Sequence, residues 1–301
     1  MAVSRIDLAD AAAPDRIVME ILKNEPDLAI PVPIEALCRQ LDITDIRPLE
    51  TQGYEGGLIT DRDKFEGVIL ANGNSPRKRK RFTIAHELGH FLIPSHVPSA
   101  DGRFLCSQAD MFRMTAGEQD HRFRMEVEAN RFASRLLLPA KPFRADVAST
   151  KDPELQQVAS LSDRYDVSKE AVSRAYVEFR DEPTAIMVVK DGILLRSYFP
   201  MSKFPFFSVK KGNPVPARSL LQRRRHALGV ASDLDETDAG VWLDIERGRA
   251  APTLYEQIYL QQQGFALILL TIERPADDED DPDGERTAKE RYRERQDQWR
   301  R

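Results

Sequence analysis

Cysteine is scarce in this chain: Cys38 and Cys106 are the only two among 301 residues. Two thiols exclude a disulfide framework, so the fold rests on a hydrophobic core, which a chain this long can build. No run of about 18 apolar residues occurs, which excludes a membrane-spanning helix. The first fifteen residues contain no apolar stretch of the secretory type, and a reduced, cytoplasmic protein is expected. A charge excess of one sign is also missing. The net charge is −5, but seven acidic residues fall within 277–285, and the rest of the chain is close to neutral. Composition therefore makes no general case for nucleic-acid binding. No internal repeat is evident.

Histidine occupies only five positions, yet two of them stand in His86-Glu87-Leu88-Gly89-His90. The apolar flanks Phe82, Ile84, Ala85, Leu88, Phe91 and Leu92 predict a buried helix over 82–92. Residues four apart share a helix face, so His86 and His90 can offer two nitrogens to one Zn2+ ion. Glu87, one residue further round, is placed to take a proton from a zinc-activated water, whose pKa falls to about 7. Gly89 is expected to clear room for metal and substrate. A third ligand must come from elsewhere, and His96, Cys106, His121 and Glu126 are within reach. His96 has the spacing of the longer H-E-x-x-H-x-x-G-x-x-H pattern, with Ile93 at its glycine position and Pro94 stopping the helix. Cys106 is chemically suitable but has no second motif beside it.

Glu126 opens a second amphipathic helix, in which Ala129, Phe132, Ala133, Leu136 and Leu137 form the buried stripe and Pro139 marks the end. Ala129 and Ala133 permit close helix approach, so a Glu126 carboxylate beside the stripe can reach the same ion. Asn130, four residues on, can accept from the outer nitrogen of a liganding histidine. Glu128 is expected to point into solvent.

Arg81-Phe82-Thr83-Ile84-Ala85-His86-Glu87-Leu88-Gly89-His90, followed by Glu126-x-x-Ala129-Asn130-x-Phe132-Ala133-x-x-Leu136-Leu137-x-Pro139, resembles the ImmA/IrrE family of bacterial metallopeptidases. Position by position, the resemblance implies His86, His90 and Glu126 as zinc ligands and Glu87 as the catalytic base; His96 is not part of that pattern and stays, by its spacing, the alternative third ligand. It implies a regulatory endopeptidase whose protein substrate is a repressor-type, DNA-binding transcriptional regulator. Leu138 stands where the family usually has methionine.

The expected fold is α+β: a zincin-like metallopeptidase domain over 1–182, a β-rich accessory or sensing domain over 183–274, and a charged, disordered tail over 275–301. Short helices are expected at 15–25 and 33–41, and strands at 43–48, 57–60 and 67–71. Either of the last two is a candidate edge for aligning a substrate backbone. Arg77-Lys78-Arg79-Lys80-Arg81 reads as a solvated loop before the helix, with contact to nucleic acid as its functional alternative. Two helices across 155–179 have a helix-turn-helix pattern, but the second is charge-balanced and reads as support for the catalytic helices. A hairpin about Asp191-Gly192, a helix over 219–228 and strands at 241–246, 253–261 and 265–273 follow. Tyr165, Tyr176 and His121 are candidate oxyanion donors. A zinc-containing DNA-binding regulator without proteolysis and a small-molecule metal hydrolase are the alternative functions.

Overall fold

A computed structural model describes residues 1–50, 53–99, 102–111, 121–204, 207–245 and 251–273. The expected tail over 275–301 and the end of the expected strand at 241–246 lie outside these residues. Two compact units form, Met1–Phe143 with Ser162–Ser168, and Arg144–Leu161 with Lys169–Arg301.

The first unit runs α1 (Pro14–Asn24), α2 (Ile34–Gln40), β1 (Ile43–Leu49), β2 (Gly56–Thr60), β3 (Gly67–Asn72), α3 (Arg77–Leu92), β4 (Arg103–Cys106), α4 (Gln108–Met111) and α5 (His121–Leu137). Its sheet has the order β1-β3-β2-β4. β3 pairs parallel to β1 and antiparallel to β2, and β2 pairs antiparallel to β4. β3 alternates buried and half-buried residues, the mark of a strand with one covered face. Helix α3 packs on β2 and β3 and, on another side, against α5. The expected substrate edges at 57–60 and 67–71 are therefore interior strands; β1 and β4 are the outer ones.

Helix α3 begins at Arg77, one and a half turns earlier than its apolar pattern suggests, so the basic run is helix and not loop. Acidic groups of the same unit make this possible. Arg77 and Arg81 pair with Asp166, Lys78 with Asp163, and Arg79 with Glu55. These partners offset the unfavourable placement of cations at a helix N-terminus. At the other end Ile93 turns extended, as the residue before Pro94 must. The Lys64 ammonium, buried, donates to the carbonyls of His90 at 2.7 Å and Ile93 at 2.8 Å, so it caps the helix.

Gly57 lets β4 approach β2: a Cβ there would lie 2.7 Å from the Phe104 carbonyl oxygen. That neighbour is backbone and cannot rotate away. Gly57→Ala is expected to destabilise the protein by about 1–3 kcal/mol, the usual cost of overpacking, despite alanine's lower backbone entropy loss. Urea unfolding measures it, and an unchanged midpoint with unchanged slope would refute the contact.

In the chain, α6 (Ala140–Val147), α7 (Leu155–Arg164) and α8 (Lys169–Phe179) precede β5 (Thr184–Lys190), β6 (Ile193–Tyr198), α9 (Leu220–Arg223), β7 (Asp235–Thr237), α10 (Ala239–Trp242), β8 (Leu254–Leu260) and β9 (Phe265–Ile272). The second unit's sheet is antiparallel in the order β6-β5-β9-β8-β7. Asp191 and Gly192 both adopt positive φ, 50° and 77°, which the tight β5–β6 hairpin requires. Two expectations fail here. The helix over 219–228 shrinks to Leu220–Arg223, and the strand expected over 241–246 gives way to the single helical turn Ala239–Trp242 and an isolated bridge at Leu243 among the described residues. Asp238 caps that turn by accepting from the Gly240 amide at 3.0 Å, and the turn carries Trp242 into the core. There the Trp242 indole and the Leu220 amide each donate at 3.2 Å to buried Glu256.

Candidate metal centre

Both histidines of α3 face inward, as their four-residue spacing dictates. His86 Nε2 and His90 Nε2 lie 3.1 Å apart, and neither residue is solvent-exposed. α5 brings Glu126 against them, its Oε2 3.2 Å from His86 Nε2 and 3.6 Å from His90 Nε2. The α3–α5 contact that permits this depends on Gly89. A Cβ on it would meet Phe132 at 3.0 Å and the Ala129 backbone at 3.3 Å. Gly89 therefore serves helix packing, not the clearance for metal and substrate that the sequence suggested. From the outer strand β4, Cys106 points its sulfur into the same place, 3.7 Å from His90 Nε2 and 3.9 Å from Glu126 Oε1. The four donor atoms all lie within 4.8 Å of one another.

Two hydrogen-bond chains decide which imidazole nitrogens are bare. The Asn130 amide nitrogen is 2.8 Å from the Asp110 carbonyl, which can only accept, so the Asn130 oxygen is turned to His86 Nδ1 at 2.9 Å. Nδ1 then carries the hydrogen, and the neutral ring presents a lone pair at Nε2. On the other side, His96 Nε2 lies 3.0 Å from the Glu128 carboxylate and His96 Nδ1 lies 3.0 Å from His90 Nδ1. Burial, with His90 beside it, holds His96 down at about 2, so the ring is neutral. Its hydrogen goes to Glu128, its Nδ1 accepts from His90 Nδ1, and His90 Nε2 is left bare. Burial likewise pushes His90 down to about 4.

Two lone pairs that face each other repel unless a cation lies between them. Burial disfavours charge on Glu126, but its contacts with His86 and His90 outweigh that and hold the carboxyl well below the usual range. Burial also opposes charge on His86, but the Glu126 contact overcomes it and raises the ring. Glu126 Oε2 is buried with only those two imidazoles beside it. Tetrahedral zinc, with ligands at about 2.0–2.1 Å, separates neighbouring nitrogen or oxygen donors by about 3.3 Å, which these distances match. The residues present therefore fit a divalent metal.

Glu87 lies on the adjoining face of α3, against β2. A Cβ at Gly56 would come within 2.9 Å of its Oε1, so only glycine leaves this carboxylate its place. Both Glu87 oxygens are buried without a hydrogen-bond partner. A buried carboxylate left unpaired beside a donor cluster is costly to folding and suited to proton transfer.

The structure thus brings together His86, Glu87, His90 and Glu126, with Asn130 behind His86. His96 reaches the far nitrogen of His90 rather than the donor cluster. Glu128 does not point freely into solvent; it is partly buried and holds His96. Of the suggested oxyanion donors, none joins the cluster. Tyr165 is buried against Phe143, the Tyr176 hydroxyl donates to Gln157 at 2.7 Å, and His121 is exposed. Cys106 belongs with the cluster, and its only sequence signal was its chemistry.

An α+β domain with a buried His, His, Glu, Cys donor set next to an unpaired glutamate is the architecture of a metallopeptidase-type protein. The family model Peptidase_M78, the IrrE N-terminal-like domain, matches residues 38–176, which supports membership of this family. A search of curated proteins finds no match. Among solved structures, a Mycobacterium tuberculosis transcriptional regulator is similar in fold, with a TM-score of 0.54 at 13% identity, covering 89% of this chain and 80% of that one. No helix among the described residues is long and apolar enough to cross a membrane.

Proposed function

We propose that this protein is a zinc-dependent endopeptidase of regulatory role, acting on a protein substrate such as a repressor-type transcriptional regulator. The observation that carries the reading is the convergence of two bare imidazole nitrogens and the Glu126 carboxylate beside an unpaired Glu87. His86, His90 and Glu126 would hold the ion, with Asn130 and His96 orienting the rings. Zinc bound there supplies Lewis acidity toward a scissile carbonyl and lowers the pKa of water to about 7. Glu87 accepts the proton of the attacking water and returns it to the leaving amine. Its burial strengthens it as a base. An extended substrate would add to an outer strand of the sheet, and β4, which ends at the donor cluster, is the one in position.

Contact with nucleic acid through Arg77–Arg81 is the weaker reading, because four of those five cations are paired within their own unit. That the similar solved structure is a transcriptional regulator agrees with a regulatory setting. The test is cleavage of a mixed peptide library by zinc-loaded protein, read by mass spectrometry. Internal cuts that a chelator abolishes and zinc restores are expected. A metal-replete protein that cuts nothing, but binds duplex DNA in a salt-dependent way, would favour the regulator without proteolysis.

A further inference from the structure

We propose that Cys106 supplies a fourth donor to this metal, so that the resting centre is closed by the protein itself. The inference rests on the proposed metal site and adds to it a ligand that the family motif does not contain.

Geometry makes the first argument. A tetrahedral zinc with sulfur at about 2.3 Å and nitrogen at about 2.0–2.1 Å separates those two donors by about 3.5 Å. The Cys106 sulfur lies 3.7 Å from His90 Nε2 and 3.9 Å from Glu126 Oε1, and all four donors lie within 4.8 Å of one another, so shifts of about an ångström or less complete the shell. The sulfur is held there by the strand. β4 alternates outward and inward, with Phe104 and Cys106 both buried. Pairing fixes the register, with Phe104 opposite Leu58 and Cys106 opposite Gly56. The Phe104 ring lies on His90, their centroids 4.8 Å apart. Gly56 is also the position against which Glu87 rests, so one strand position adjoins both the base and the sulfur.

Burial makes the second. Cys106 is fully buried, as is Cys38, but Cys38 sits on the apolar face of α2 whereas Cys106 faces two imidazoles and a carboxylate. Close by, both Glu87 oxygens are buried without a hydrogen bond and Glu126 Oε2 has only the two imidazole nitrogens beside it, which points independently to a missing ligand at this spot. Three groups that are anionic when ionised converge on one point. A divalent cation compensates them; a packed thiol would not.

The functional consequence follows from coordination number. Zinc sites that carry out hydrolysis keep one position open, and sites with four protein ligands do not. With Cys106 bound, Glu87 has no activated water to deprotonate. The resting centre is closed, and a substrate that adds along β4 must displace the sulfur before cleavage starts. β4, an outer strand of four residues, is the element whose displacement would release it.

The full chain loaded with cobalt(II) tests this by its absorption spectrum. Wild type is expected to bind one cobalt with a sulfur-to-cobalt charge-transfer band in the near ultraviolet. Cys38→Ala should keep the band, and Cys106→Ser should lose it while still binding one cobalt. If Cys106→Ser does not fold, a band retained in Cys38→Ala assigns the sulfur, since the chain has no third cysteine. Stoichiometric cobalt without the band in wild type overturns the thiolate ligand and leaves the three-donor site standing. Failure of wild type to bind any cobalt overturns the metal site and this inference together.

Discussion

Glu87→Gln is expected to retain its metal and lose peptide cleavage by about 10²- to 10⁴-fold, the usual contribution of a positioned general acid–base. The substitution keeps shape and removes only the capacity to take a proton. Little else need move, because the only hydrogen-bonding side chain set against Glu87 among the described residues is the Cys106 thiol, which a glutamine oxygen can equally meet. Metal analysis beside library cleavage separates the two effects, and full cleavage with full metal would sink the assignment. A second consequence concerns stability. In metal-free protein, burial pushes Glu87 from 4.5 up to about 8; His86 pulls it down and Glu126 pushes it up. The folded state therefore holds a proton that the unfolded chain has already released. Stability contributed below about 4.5 is lost as pH rises toward about 8. Glu87→Gln removes this titration, so its unfolding midpoint in chelator should fall less between about pH 5 and about pH 8 than that of wild type.

Glu126→Ala should weaken zinc binding severely. It removes the only carboxylate in the donor set and leaves two facing imidazoles with the Cys106 sulfur. The loss should exceed the 10- to 100-fold that removal of an outer-shell partner typically costs. His96→Ala is expected within that smaller range, because it loosens His90 without removing a donor. Unfolding provides an independent readout. Zinc at about 100 times its dissociation constant stabilises a one-site protein by about 2.7 kcal/mol, so it should raise the wild-type midpoint and leave the Glu126 variant unmoved. Metal lost on replacing His96 and kept on replacing Glu126 would exchange their roles.

Much of the first unit was legible because its signals are local. Four-residue spacing puts His86 and His90 on one face of any helix, and the stripe from Ala129 to Leu137 marks the face of α5 that must be buried. The same periodicities located α1, α2, β1, β2, β3 and most strands of the second unit. Short pieces escaped. β4 has four residues and β7 three, too few for alternation to show. The basic run was misjudged because its acidic partners, Glu55, Asp163 and Asp166, are distant in sequence.

The sequence by itself determined that two imidazoles and one adjacent carboxylate would share a helix, since a helix imposes that arrangement whatever surrounds it. Tertiary structure alone decided which nitrogens are bare, what caps α3 and which further groups join the centre. Those outcomes depend on contacts of Asp110 with Asn130, Glu128 with His96, Lys64 with His90 and Cys106 with both helices. Each of these pairs is separated by 16 to 32 residues, and only a folded core brings them within hydrogen-bonding or ligand distance.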